Sequence, residues 1–295
     1  MAKNYLVGLV GEGIEHSLTP DLHMREAQHL GIDYEYRIID VVEDSLSAKS
    51  IEWILAEAKS AGYDALNVTY PFKQQVISQL TSHSNEVTQL ESSNLVLNLQ
   101  GTAHGENTDW YGFGFALESA LDGAARQNVL QVGVGGAGSA TAYALLRWGV
   151  SELTLADLNF ERAQDLAERY SELFPKQKVI ALPISDALAG LNQCDGVVQA
   201  TPVGMFTHPG LPFEIAELNP SAWVADVIYR PMETELIALA RSRGHVVVPG
   251  GLMAIGQAVE SLRLITGKEP DVARMTAHFE ELLADESVLT RARGI

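Results

Sequence analysis

The chain has 295 residues, 46% of them hydrophobic and 20% charged, which is enough for one large domain or two ordinary ones with an ample core. Its 38 acidic against 20 basic residues leave a formal charge of -18, which argues against broad nucleic-acid binding and against anionic membrane surfaces. The single Cys194 rules out an intramolecular disulfide and a thiolate metal cluster, and no apolar run has the length of a membrane span or a signal-peptide core. The expectation is a soluble, acidic, cytoplasmic protein with no nucleic-acid, membrane or metal partner. A small anionic substrate stays open, because one local cation outweighs a distant negative field. The oligomeric state is not readable, a homodimer included.

In chain order, short apolar runs alternate with longer amphipathic segments. Leu6–Val10 reads as a strand, Asp21–Leu30 as a helix entered through Thr19-Pro20 and ended at Gly31, and Tyr34–Ile39 as a strand. Ser47–Ser60 is helical, with Ile51, Ile54, Leu55 and Ala58 on one face. Ala65–Thr69 is a strand, Lys73–Leu80 a helix after Pro71, Leu95–Leu99 a strand, and Asp109–Leu121 a helix ending near Gly123. A second series follows: strand Val129–Val132, helix Ala137–Trp148, strand Leu153–Ala156, helix Arg162–Leu173. Further strands are predicted at Val179–Leu182, Gly196–Thr201, Val224–Ile228 and Val246–Val248, and final helices near Leu252–Thr266 and Val272–Ala284. Such alternation implies an α/β fold with parallel sheets covered on both faces. It divides into two domains, residues 1–120 completed by helices of about 252–295, and residues 121–251.

The segment Gly133-Val-Gly135-Gly136-Ala137-Gly138 matches G-x-G-x-x-G between an apolar strand and an Ala-rich helix. In that context the first glycine permits the tight turn, the second lets backbone approach a pyrophosphate, and the third lets helix and strand pack closely. The helix N-terminus then offers unpaired N–H groups to the phosphates. This predicts a Rossmann-type nucleotide domain. The next strand ends at Asp157, about 20 residues past the turn, where a carboxylate accepts both ribose hydroxyls of NAD and repels the extra phosphate of NADP. The competing reading makes Asp157 the N-cap of the following helix. Arg162 reads as a helix-surface residue in an ion pair.

Polar clusters interrupt the apolar runs of the first half: His16-Ser17-Leu18-Thr19-Pro20, Asn67-Val68-Thr69-Tyr70-Pro71-Phe72-Lys73, Ser92-Ser93-Asn94 and Asn107-Thr108-Asp109. Strand ends in α/β sheets are where ligands collect, so these groups fit a pocket for a hydroxylated acid. Taken singly, Ser17, Thr19 and Asp109 also fit helix caps, and Lys73 a solvated helix position.

The clusters together resemble the shikimate dehydrogenase family. Gly11–His23 is similar to its His-Ser-x-Ser-Pro signature, Leu66–Lys73 to Asn-Val-Thr-x-Pro-x-Lys, and Gly105–Gly112 to Gly-x-Asn-Thr-Asp-x-x-Gly. Gly133–Ala140, Ala200–Met205, Asp226–Pro231 and Gly250 with Met253–Gln257 continue the match in order along nearly the whole chain. The resemblance implies an N-terminal substrate domain, a Rossmann domain, and reversible oxidation of one ring hydroxyl of a cyclic carboxylate. It places Ser17 and Thr19 on the substrate carboxylate, Thr69, Asn94 and Gln257 on ring hydroxyls, and Tyr229 in the substrate pocket. Lys73 and Asp109 flank the reacting hydroxyl. Gly133, Gly135, Gly136, Ala137, Gly138, Asp157, Thr201, Val227 and Gly250 form the cofactor set. Losing a hydride from an alcohol also requires losing its proton, and Lys73 and Asp109 are the groups able to take it. Residue type does not decide which of them carries it.

Three departures from the family pattern matter. Asp157-Leu158-Asn159 stands where the family commonly has the phosphate-clamping Asn-Arg-Thr, which points to NAD. Thr19 replaces the second serine, as in the NAD-dependent quinate/shikimate dehydrogenases the chain most resembles, so both acids are expected as substrates. Leu95 and Gly256 are unusual beside Asn94 and Gln257, leaving open a paralogue acting on another cyclic polyol acid or on aminoshikimate. A catalytically silent metabolite sensor is the rival from another class, opposed by the retained Lys73 and Asp109.

Overall fold

The computed structural model describes residues 4–44, 46 and 49–292, with the backbone alone for 286–292. The chain divides into two compact units, residues 1–108 with 257–295, and residues 109–256.

The first unit contains β1 (Asn4–Gly11), α1 (Thr19–His29), β2 (Asp33–Asp40), α2 (Ile51–Ser60), β3 (Ala65–Val68), β4 (Ser82–His83), α3 (Asn85–Leu90), β5 (Leu95–Leu97) and β6 (His104–Glu106). Its six-stranded sheet runs β2-β1-β3-β5-β6-β4. The first three strands are parallel, whereas β5 pairs antiparallel with both β3 and β6. The sheet is therefore mixed, against the expectation of parallel pairing. A tight turn is the reason: Asn98 takes a left-handed φ of 53, and Gly101 N–H donates to Asn98 O at 2.9 Å, so β5 and β6 form a hairpin. The predicted helix Lys73–Leu80 shrinks to a 3-10 turn over Gln75–Gln79, with no side-chain cap. Lys73 lies in the turn that leads to it. Helix α2 opens at Ile51, where the Ser50 hydroxyl accepts Trp53 N–H, and buries the predicted Ile51, Ile54, Leu55 and Ala58. The predicted start at Ser47 lies outside the described residues.

The second unit opens with α4 (Asp109–Ala120), followed by β7 (Asn128–Val132), α5 (Gly136–Trp148), β8 (Glu152–Ala156), α6 (Phe160–Leu173), β9 (Lys178–Ala181), α7 (Ile184–Ala189), β10 (Gly196–Gln199), β11 (Trp223–Asp226), α8 (Glu235–Ser242) and β12 (Val247–Val248). Its sheet is wholly parallel in the order β12-β11-β10-β7-β8-β9. The chain crosses over between β9 and β10, so β7 and β10 lie side by side at the switch point of a doubly wound sheet. Between its layers lie Leu130, Val132, Val197 and Val224, all buried. Helix α4 groups with this unit because Trp110 sets its ring edge-on against Tyr143 of α5, centroids 5.5 Å apart.

Two strands stop earlier than their hydrophobic runs suggest. β10 ends at Gln199, not Thr201, and β11 at Asp226, not Ile228. In each case the strand's own last side chain takes the backbone donor that would have continued the ladder. Gln199 Oε1 accepts Thr201 N–H at 3.1 Å, and Asp226 Oδ1 accepts Ile228 N–H at 2.9 Å.

The last two helices are α9 (Gly250–Thr266) and α10 (Val272–Ala292). α10 returns to α1 through a partly buried ion pair. Arg274 donates from Nε and Nη2 to the Glu26 carboxylate at 2.7 and 2.6 Å, and Asp271 N–H donates to the same group at 2.8 Å. Glu26 is fully buried, and these three donors offset its desolvation. No helix among the described residues is long and apolar enough to cross a membrane.

Gly256 sits where α9 crosses α4. A Cβ there would stand 2.9 Å from Gly112 Cα, 3.0 Å from Gly112 O and 2.9 Å from the Phe115 ring. Two of the three are backbone atoms and cannot swing away. In an open helix, glycine to alanine stabilises by about 1 kcal/mol. At this crossing we expect Gly256→Ala to cost roughly 1–3 kcal/mol through overpacking, read as a lowered Tm. A raised Tm would show that the helices do not approach there.

Candidate active site

The first unit gathers the predicted polar clusters at the C-terminal ends of β1, β3 and β6 and the N-terminal end of the antiparallel β5, and backbone hydrogen bonds do the gathering. Thr69 N–H donates to Val10 O at 2.9 Å, and Glu12 N–H to Tyr70 O at 3.0 Å, so the loop after β1 lies beside the end of β3. Val68 N–H donates to Asn94 O and Ser93 N–H to Lys73 O, both at 2.8 Å. Thr69, Lys73 and Asn94 are thus neighbours through main-chain contacts that do not depend on their side chains. Ser17 and Thr19 lie on the loop after β1, and the Ser17 hydroxyl accepts Thr19 N–H at 3.3 Å. Neither is a side-chain cap of α1, whose N-cap position is Leu18.

That loop is anchored by Asp40, a residue that no motif marks. One carboxylate oxygen accepts Ile14 N–H at 2.6 Å and the other Val42 N–H at 3.0 Å. Burial alone would raise this carboxyl, but N–H groups of Ile14, Val42, Gly13 and Glu43 outweigh it and hold the group below the usual carboxylate range. Of the two motif histidines, His16 pairs with Glu15 at the surface, while His23 is buried with Nδ1 3.0 Å from the Tyr34 hydroxyl. Burial pushes the His23 imidazole down to about 3, so it stays neutral.

Asn94 belongs to a buried polar chain. Its Oδ1 accepts Thr108 N–H at 2.7 Å, and its Nδ2 donates to Thr108 Oγ1 at 3.0 Å. Thr108 Oγ1 lies 3.0 Å from Ser261 Oγ, which accepts Asn67 Nδ2 at 3.3 Å, and Asn67 Oδ1 accepts the Tyr36 hydroxyl at 2.8 Å. Gln257 precedes Ser261 by one helical turn on α9, so it shares the face that meets this chain. Ser261 sits in no recognisable motif, and its role was invisible in the sequence. Asn107 closes the cluster by donating to Ser92 O and Oγ at 3.0 and 2.9 Å.

In the second unit the glycine turn joins β7 to α5. Gly133 has a φ of 98, and a Cβ there would strike Ala200 O at 2.5 Å, so only glycine fits. Gly135 and Gly136 face open space, and the N-cap Gly135 supplies no side chain to the first N–H groups of α5. An uncapped helix start beneath open space fits a pyrophosphate. Asp157 follows β8, half-buried. Its Oδ2 accepts Val134 N–H from the turn at 2.8 Å, and its Oδ1 accepts Asn159 N–H at 2.9 Å. The N-cap of α6 is Asn159, which accepts Arg162 N–H at 3.2 Å, so the capping alternative for Asp157 falls away.

Of the remaining predicted cofactor residues, Thr201 and Val227 lie on the loops after β10 and β11, and Gly250 opens α9. Gln199 Nε2 holds the first loop by donating to Thr201 Oγ1 at 2.9 Å and Val203 O at 2.6 Å. Asp226 Oδ2 holds the second by accepting the Thr234 hydroxyl at 2.7 Å, and this loop carries Val227 and Tyr229. Burial pushes the Asp226 carboxyl up to about 6, against the lowering bonds from Ile228 and Thr234. Gly250 admits the same loop closely, since a Cβ there would meet Val227 O and Ile228 O at 2.5 Å. Asp109 is the buried first residue of α4. Among the described residues no group of three or more His, Cys, Asp or Glu is placed to hold a metal ion.

Two family models match the chain, the shikimate dehydrogenase substrate binding domain over residues 9–96 and shikimate / quinate 5-dehydrogenase over residues 116–205. The shikimate dehydrogenase (NADP(+)) of Pseudarthrobacter chlorophenolicus is 45% identical, over 97% of this chain and 98% of its own length. The quinate/shikimate dehydrogenase (NAD(+)) of Corynebacterium efficiens is 42% identical, over 94% and 98%. The solved quinate dehydrogenase from Corynebacterium glutamicum in complex with NAD shares 40% identity and a TM-score of 0.90, over 94% of this chain and 99% of that one.

Proposed function

The chain belongs to the shikimate dehydrogenase family, and from that premise we propose that it oxidises quinate and shikimate reversibly at a ring hydroxyl, using NAD. The products are 3-dehydroquinate and 3-dehydroshikimate. The observation that carries the reading is the main-chain gathering of the Ser17 loop, Thr69, Lys73 and Asn94 at one set of strand ends. In this reading Ser17 and Thr19 hold the carboxylate. Thr69, Asn94 and Gln257 take ring hydroxyls, and Tyr229 lines the pocket. Lys73 and Asp109 are the acid–base pair for the hydroxyl proton. When bound, the nicotinamide supplies the hydride chemistry. The acidic charge and single cysteine suit a cytoplasmic enzyme.

The similar proteins are named for different cofactors, NADP(+) in one case and NAD(+) in the other. Residues of this chain decide between them. Asp157 stands at the end of β8, Leu158 beside it is 95% exposed, and Asn159 is engaged as a cap, so nothing in the three residues offers a cation to a 2′-phosphate. The test crosses quinate and shikimate with NAD and NADP. We expect NADH formation from both acids and a kcat/KM at least tenfold lower with NADP. No reduced NAD from either acid would overturn the reading, as would turnover confined to another cyclic polyol acid.

A further inference from the structure

We propose that Gln131, a buried residue of β7, is a positioning residue for cofactor choice, acting on Asp157 through the Gly133–Val134 peptide. The inference rests on the reading that Asp157 receives the cofactor ribose. Gln131 is fully buried in a strand whose neighbours Val129, Leu130 and Val132 are apolar, a setting where an amide costs free energy unless all its groups are matched. Here they are matched. Nε2 donates to Gly133 O at 2.9 Å and to Gly138 O at 2.7 Å, and Oε1 accepts the Thr141 hydroxyl at 2.9 Å. One side chain thus ties the first and last glycines of the turn to the strand beneath it.

Planarity gives this tie a longer reach. Gly133 C=O and Val134 N–H are the two edges of one peptide plane and point in opposite directions. The carbonyl edge is held by Gln131, and the N–H edge donates to Asp157 Oδ2 at 2.8 Å. Gly133, at a φ of 98, lacks the steric restraint a side chain would give, so this plane depends on what bonds to it. With the carbonyl turned down onto Gln131, the N–H must face Asp157. Release the carbonyl, and the plane is free to rotate and the carboxylate loses the donor that sets its angle. Asp157 keeps its second fix, the Asn159 N–H on Oδ1, but one donor leaves it a pivot. A carboxylate that must meet two hydroxyls at once is sensitive to such rotation.

The test is the ratio of kcat/KM with NAD to kcat/KM with NADP, measured for wild type, Gln131→Met, Thr141→Val and Asp157→Ala. Methionine keeps the volume and removes the amide, so the turn carbonyls lose their donor. Valine keeps the shape of Thr141 and removes the hydroxyl that orients the amide. We expect Gln131→Met to lower the NAD:NADP ratio about tenfold, through KM for NAD, with KM for the acid within twofold of wild type. Thr141→Val should lower it in the same direction by about threefold, which keeps the idea testable if Gln131→Met does not fold. A residue that only stabilised the unit would lower Tm and leave the ratio alone. An unchanged ratio in Thr141→Val and in any folded Gln131→Met, with a reduced ratio in Asp157→Ala, would overturn the positioning role. An unchanged ratio in Asp157→Ala would instead overturn the ribose reading on which it rests.

Discussion

Lys73→Ala should lower kcat by about 10²–10⁴ while leaving KM for quinate and for NAD within a few-fold of wild type, because a positioned proton acceptor contributes in that range to the chemical step alone. The fold should survive the change. Lys73 is half-buried in the turn after β3, and the contact that locks that turn to Ser93 uses its backbone carbonyl, which an alanine retains. A companion variant separates proton transfer from charge. Lys73→Arg keeps the cation and much of the side-chain length, but a guanidinium does not give up its proton at working pH. Loss in both variants identifies the amine as the proton acceptor. Recovery of turnover in Lys73→Arg would show that only a positive charge is needed. Near-normal kcat in Lys73→Ala would remove the residue from the mechanism. The comparison is best made at saturating concentrations of both ligands, where binding differences cancel.

Those residues were legible in the sequence because they are local in it. Thr69 and Lys73 stand in one heptapeptide, the glycine turn spans six consecutive residues, and Asp157 follows its strand directly. Position relative to a predicted strand end was enough to mark them. Much of what escaped was settled by contacts distant along the chain. Ser261 joins Asn67 and Thr108 through hydroxyl contacts that no periodicity announces. Asp40 ends a strand as many acids do, and only the fold brings Ile14 N–H to it. The early stops of β10 and β11 escaped for a different, local reason, a side chain that takes the backbone N–H two residues on. Val224–Ile228 is apolar enough to read as strand throughout, but Asp226 turns its carboxylate back on Ile228 and ends the ladder from within. The hairpin of β5 and β6 was missed because His104–Glu106 is too short and too polar to signal a strand, and it forms only because Leu95–Leu97 is there to pair with. Hydrophobic patterning captured the parallel sheet of the second unit well, since every strand there is an apolar run covered on both faces. It failed for the antiparallel pairing of β5 and β6 in the first unit, where turn geometry sets the pairing.

Asp157→Ala should convert a selective enzyme into an indifferent one. Two separate contributions are removed. In the proposed reading the carboxylate accepts charge-assisted hydrogen bonds from the ribose hydroxyls, each worth roughly 1.5–3 kcal/mol, so each one lost should lower kcat/KM with NAD by about 10–150-fold. The repulsion that excluded a 2′-phosphate disappears at the same time, so kcat/KM with NADP should hold or rise. The ratio therefore moves more than either constant alone. A stability cost accompanies it. Val134 is 3% exposed, and its N–H loses the Asp157 oxygen at 2.8 Å, leaving a buried donor unmatched at a cost of about 1–3 kcal/mol. Asp157→Asn separates the two effects. It keeps one acceptor oxygen for Val134 or for the ribose, but not the charge, so it should recover most of the Tm and little of the selectivity. If Asp157→Asn instead restored full preference for NAD, shape rather than charge would set the choice. An unaltered cofactor ratio in Asp157→Ala, with the protein folded, would place NAD selection elsewhere in the second unit and reduce Asp157 to a structural acceptor for the glycine turn.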